Sequence, residues 1–98
     1  MSNIIAEERL EKEFKTTGSA LEMAKSKRVE QADERLAKAS REFLDMAERY
    51  YNDAVHFRKK GDLASAFGAL NYAHGWLDAG ARLGFWDVKG QSNLFVVD

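Results

Sequence analysis

From Leu63 to Leu83 the chain is apolar or small on nearly every side of a helical projection. Leu63, Phe67, Leu70, His74, Leu77 and Ala81 form one stripe, and Ala69, Tyr72, Trp76, Ala79 and Leu83 form a second. Asn71, Asp78 and Arg82 supply a thin polar line, shared with Gly68 and Gly75. A surface helix shows one apolar stripe, so a helix with two must be covered on two sides. This pattern predicts a central helix over about 62–83, with other elements packed round it.

The remaining helices follow from periodicity and end signals. A helix is predicted over about 4–15, capped by Ser2 or Asn3, with Glu7 and Glu8 in its favourable first turn and apolar residues at Ile4, Ile5, Leu10 and Phe14. Thr16-Thr17-Gly18 reads as an interruption. Ser19-Ala20-Leu21-Glu22 fits a capping box that restarts a short helix over about 19–25. The basic run Lys25 to Arg28 reads as a break, because the seven-residue rows Val29-Leu36-Phe43-Tyr50-Phe57 and Ala32-Ala39-Met46 do not extend back across it. Those rows predict a long helix over about 30–60. Arg58, Lys59 and Lys60 suit its negative end, Gly61 can take the left-handed conformation that stops it, and Asp62 can cap the next helix. So tight a connection makes an antiparallel hairpin. Gly84 stops the central helix, and Phe85, Trp86, Val88, Leu94, Phe95, Val96 and Val97 give the tail too much apolar surface to leave in water. Lys89 to Ser92 reads as a turn. The expected fold is all-α: a small helical bundle built on a long antiparallel helical hairpin, with an irregular C-terminal tail over 85–98, as one domain spanning 1–98.

Charge and composition narrow the function classes. The 15 Lys and Arg against 16 Asp and Glu leave a net charge of −1, which offers no long-range pull toward nucleic acid or acidic membranes. No apolar run reaches the length of a membrane span. The chain has no cysteine, so thiolate chemistry, disulfides and thiolate metal sites are excluded. A cytoplasmic protein is expected, with no cofactor and neither a nucleic acid nor a membrane as its partner.

One polar group stands out on the folded hairpin. Asp53 falls in the row of Ala32, Ala39 and Met46, which predicts burial on the seam opposite Asn71 and His74, with Asp78 one turn beyond His74. A buried carboxylate needs partners. The preferred reading of Asp53, Asn71, His74 and Asp78 is a hydrogen-bonded network that fixes helix register, without metal or catalytic residue. An enzyme or metal-binding protein using Asp53, His74 and Asp78, with His56 as a further ligand type, is the alternative. An RNA-associated domain is the third reading; its only sequence supports are the short Lys25–Arg28 run and the Arg49 and His56 pair.

The leading functional expectation is a non-catalytic interaction or assembly module. Leu44 and Tyr51 lie beside the Phe43-Tyr50-Phe57 seam, and Tyr72 and Trp76 lie on the second stripe of the central helix. These four are the interface candidates. The first helix and the tail are short covers for two demanding helices, and a closed dimer is the commonest way to hide the remainder. A protein partner or a second copy is expected, with the homodimer favoured.

The wording of the hairpin carries a resemblance. Tyr50, Tyr51, Asp53, Ala54 and Phe57 precede Gly61-Asp62; Ala66-Phe67 follows; the run closes on Tyr72-Ala73-His74-Gly75-Trp76-Leu77-Asp78-Ala79-Gly80. This string resembles the archaeal domain-of-unknown-function family 357, closely over about half the chain and loosely over the leading helix and tail. The resemblance implies a compact helical bundle from an archaeal cytoplasm and brings no activity with it. The Gly-Asp hairpin is also similar to a single tetratricopeptide unit, but no second copy follows.

Overall fold

The computed structural model describes the backbone of residues 2–91 and 93–96, and the side chains of 6–91 and 93–96. The caps expected of Ser2 or Asn3, the apolar contributions of Ile4 and Ile5, the Ser92 end of the turn, and Val97 lie outside the described side chains. Three helices carry the fold: α1 (Ser2–Ser26), α2 (Glu34–Lys59) and α3 (Leu63–Arg82). The described residues form no strand; the one β-type contact is an isolated antiparallel bridge between Arg28 and Trp86. The architecture is the expected all-α bundle.

The first helix does not break. It runs through Thr16-Thr17-Gly18, where a pause and a second short helix were expected. A helical glycine costs about 1 kcal/mol relative to alanine, so local preference does oppose this stretch. Tertiary burial outweighs it. In a continuous helix Leu10, Phe14, Thr17, Leu21 and Ala24 fall on one stripe, and all five are buried. Burying a single Leu or Phe is worth roughly 1.5–3 kcal/mol. Gly18 is also tight: a Cβ built there would lie 3.0 Å from the Tyr51 hydroxyl.

The second helix starts at Glu34, later than the expected 30. Asp33 is its N-cap, accepting from Arg35 N at 2.8 Å and Leu36 N at 3.1 Å. Residues 27–33 are drawn instead to the segment after α3. Val29 N donates to Phe85 O and Asp87 N to Lys27 O, both at 2.9 Å, and Gln31 Nε2 donates to Gly84 O at 3.1 Å. Val29 and Ala32 are therefore exposed loop residues.

The hairpin corner is built as its residues dictate. Gly61 has φ +78°. Asp62 N bonds Phe57 O, and Gly61 N bonds Arg58 O, each at 3.0 Å, which is the Schellman arrangement of a helix end. Asp62 then caps α3 through Ser65 N at 3.1 Å. The same device ends α3: Gly84 has φ +80°, Phe85 N bonds Gly80 O at 2.8 Å, and Gly84 N bonds Ala81 O at 3.1 Å.

The contact line between α2 and α3 is made of small residues. Ser40, Ala47 and Ala54 are the buried residues of α2, facing a helix whose own buried set includes Ala66, Ala69, Ala73 and Gly80. This is one residue, or 100° of rotation, away from the expected Ala39-Met46-Asp53 row. The large side chains flank that line. Tyr51 meets Phe14 of α1 at 5.7 Å between ring centroids, Arg58 pairs with Glu11, and Glu48 pairs with Lys25. Phe43 and Tyr50 flank the other side, meeting Trp76 at 5.0 Å and Tyr72 at 4.4 Å. These cross-helix pairs run in opposite numerical order, so α2 and α3 are antiparallel. The tail closes the open end: Phe85, Trp86, Val88 and Phe95 are all buried. The Trp86 indole packs against Gly80, where a Cβ would come within 1.9 Å of its ring, and its Nε1 donates to Leu77 O at 2.9 Å.

Candidate functional site

The expected four-residue network does not assemble. Asp53 is exposed and Asn71 is exposed; the rotation of α2 that puts Ala54 on the contact line turns Asp53 outward. Asp53 makes no hydrogen bond to α3, contrary to expectation. His74 and Asp78 do come together, with Nε2 3.6 Å from Oδ1. They lie on the α1 and tail side of α3, not on the α2 side. His74 Nε2 is 2.5 Å from Leu94 O. A carbonyl only accepts, so this partner assigns the ring proton to Nε2. Nδ1 is then the acceptor for the Thr17 hydroxyl at 3.3 Å. Asp78 Oδ1 accepts from Val96 N at 3.1 Å.

These contacts define what the pair can do. Both imidazole nitrogens are engaged, and the carboxylate holds a main-chain amide. The pair fastens the Leu94–Val96 segment across α1 and α3, with Phe95 buried beneath it at 2% exposure. Among the described residues no group of three or more His, Cys, Asp or Glu is placed to hold a metal ion. The sequence does not mark Thr17, Leu94 and Val96 as partners of His74 and Asp78. Thr17 was legible in principle, since it continues the Leu10-Phe14-Leu21 stripe once the helix is read as unbroken.

Electrostatics elsewhere are structural. Arg58 hydrogen-bonds Glu11 and holds its carboxyl below the usual range. The hydrogen bond from Lys25 to Glu48 raises the Lys25 ammonium above its usual value. Both pairs are surface contacts that tie α1 to α2, and such pairs contribute little to stability.

The four interface candidates divide between the two sides of the hairpin. On α2, Tyr51 and Arg58 touch α1, and Leu44 lies one heptad before Tyr51 on the same stripe. Of the four interface candidates, Leu44 and Tyr51 are thus turned to the covered side and half-buried. Tyr72 and Trp76 stand on the open side. They continue an aromatic ladder: Tyr50 to Tyr72 at 4.4 Å, Tyr72 to Trp76 at 6.3 Å, Trp76 to Phe43 at 5.0 Å and Phe43 to Phe85 at 5.2 Å. The register that pairs Phe43 with Trp76 puts Leu36 opposite Leu83. Leu36, Tyr72 and Leu83 are 45%, 53% and 57% exposed. Trp76 Nε1 is buried with no hydrogen-bond partner among the described residues.

Comparison with known proteins places this face in a family context. The profile of the family described as Protein of unknown function (DUF357) matches residues 14–86. The chain belongs to the DUF357 family. The DUF357 match begins at Phe14 and ends at Trp86, so it takes in the whole hairpin, the aromatic ladder, His74 and Asp78. It stops short of Leu94 and Val96, the tail groups that His74 and Asp78 hold. No curated protein and no solved structure matches the chain.

Proposed function

We propose that this DUF357 protein is a non-catalytic assembly module that associates through the open face of its hairpin, with a second copy as the favoured partner. The observation that carries the reading is the exposure of Leu36, Tyr72 and Leu83 on the side of the hairpin away from α1, beside the half-buried Phe43/Trp76 pair. Contiguous apolar surface of this kind marks contact sites, and Tyr and Trp are enriched at the centres of interfaces. The reading is favoured over a metal or acid–base site because Asp53 and Asn71 face solvent and both His74 nitrogens have partners. It is favoured over RNA association because Lys25 is paired with Glu48, and the formal charge is −1. An archaeal, cytoplasmic setting belongs to the same proposal and rests on the resemblance.

Sedimentation equilibrium of the full chain from 1 to 100 µM (about the range in which modest interfaces associate) tests it. Wild type is expected to show a concentration-dependent dimer. Tyr72→Glu is expected to shift the distribution to monomer with an unchanged helical circular dichroism spectrum. A wild-type monomer across the whole range overturns the self-association reading.

A further inference from the structure

The end of the tail is held as a bound peptide would be. Two side chains of α3 grip its main chain. His74 Nε2 donates to the Leu94 carbonyl at 2.5 Å, and the Val96 amide donates to Asp78 Oδ1 at 3.1 Å. Between these two bonds the Phe95 ring goes inward. It is 2% exposed and joins a core cluster with Ala20 and Ala24 of α1 and Leu77 of α3. Val96, next along the chain, is 65% exposed. Main-chain bonds that supply affinity and a side-chain pocket that supplies selectivity are the two parts of peptide recognition. Every residue has a carbonyl and every residue but proline an amide, so the seat of Phe95 is what selects an occupant. The buried Thr17 hydroxyl on α1 donates to His74 Nδ1 at 3.3 Å and holds the ring with its N–H toward the tail.

The attachment of the tail divides at a hinge. Trp86 and Val88 are buried, with the indole against Gly80. Lys89 and Gly90 are exposed, and Gly90 has φ +79°, a conformation that glycine adopts at no steric cost. Among the described residues beyond Gly90, the hydrogen bonds to the helices are those of Leu94 and Val96 with His74 and Asp78. The family match adds an independent point. Thr17, His74 and Asp78 all fall within residues 14–86, while Leu94 to Val96 fall beyond them. The gripping groups belong to the matched region, and the segment they grip does not.

We propose that the groove between α1 and α3 is a peptide-binding site and that the tail is its built-in occupant. Its ligand is a short segment with one aromatic anchor, gripped by the main-chain carbonyl of the residue before it and the amide of the residue after it. The tail turns at Gly90 to open the site and otherwise blocks it as a tethered competitor. A tethered segment acts at an effective concentration on the order of millimolar, so a free segment binds weakly while the tail is seated. The site lies on the α1 side of α3, away from Tyr72, and stands independently of the assembly reading.

The probe is a fluorescein-labelled peptide of residues 89–98. The protein is the full chain with Phe95→Ala, which empties the seat and keeps Thr17, His74 and Asp78. Fluorescence anisotropy is expected to show binding at least tenfold tighter to Phe95→Ala than to wild type. A peptide carrying the same Phe95→Ala change is expected to bind at least tenfold more weakly, and adding Asp78→Ala to the protein is expected to weaken binding several-fold. A Phe95→Ala chain with wild-type helical circular dichroism that binds the peptide no better than wild type overturns the proposal. Should Phe95→Ala lose helix, isotope-labelled wild type decides. Millimolar unlabelled peptide is then expected to speed amide exchange at Val96 at least tenfold, by holding the chain's own tail off, with the Leu70 and Leu77 amides unchanged. A smaller change at Val96 overturns the proposal.

Discussion

At the scale of single residues, contact geometry separates groups that matter for the fold from those that do not. Gly80 matters because the Trp86 ring occupies the space of its missing side chain. Gly80→Ala must push out a tryptophan that is 1% exposed and is expected to lower stability by about 3 kcal/mol, the upper end for overpacking; chemical denaturation measures it, and a change under 1 kcal/mol would contradict the seating of Trp86. Ser40 behaves oppositely. Its hydroxyl is buried without a hydrogen-bond partner among the described residues, so Ser40→Ala is expected to raise stability by about 1 kcal/mol, from removal of an unpaired buried polar group and better helix propensity. Asp53 shows that the largest members of a row do not mark the line of contact. Along the chain the seven-residue rows are marked by their largest members, Phe43, Tyr50 and Phe57, and the seam is drawn beside them. In the folded hairpin the line of closest approach belongs to Ser40, Ala47 and Ala54, because only small residues let two helices meet closely, and the large ones fill the flanks. Asp53→Ala is accordingly expected to change the denaturation midpoint by no more than about 0.5 kcal/mol equivalent.

The elements divide by how local their causes are. The hairpin corner was legible because each signal acts within a few residues: a left-handed Gly61, an Asp62 side chain reaching Ser65 N, and basic residues closing α2. The Asp62 carboxyl is held below the usual range by its hydrogen bonds with Ser65. A depressed carboxylate stabilises the fold above the unfolded value and loses that contribution as pH falls. The advantage of wild type over Asp62→Ala in thermal denaturation should therefore be present at pH 7 and shrink below about pH 4; a difference that persists undiminished at pH 2 would contradict the ionised cap. The continuity of α1 and the way the end of the tail is held were less legible, because they depend on contacts with α3 made far away in sequence, Thr17 with His74 and Leu94 and Val96 with His74 and Asp78. His74 and Asp78 fasten Leu94 and Val96 by their backbone groups. Asp78→Ala is expected to speed amide hydrogen exchange at Val96 while leaving the exchange of α2 and α3 core amides unchanged. Equal acceleration throughout α3 would mean that Asp78 supports the helix itself.

At the scale of the molecule the fold is an asymmetric sandwiching of one helix. α1 and the tail cover one side of α3, α2 covers a second, and the side of the hairpin carrying Leu36, Tyr72 and Leu83 is left to the solvent in a single copy. The assembly reading belongs to this scale, and the sedimentation outcome stated above decides it. The sequence alone determined three things: that α3 is central, that it pairs antiparallel with α2 at Gly61–Asp62, and that the tail returns to the bundle. Each follows from local backbone preference or from a surplus of apolar side chains that water cannot accommodate. Only the tertiary structure decided that α1 passes unbroken through Thr17-Gly18, that α2 is turned by one residue, and that His74 and Asp78 hold the tail rather than Asp53. Those outcomes depend on which of several nearly equal apolar faces buries against which, and that competition is settled by packing between segments distant in the chain, where a few kilocalories of burial outweigh the weaker preferences of neighbouring residues.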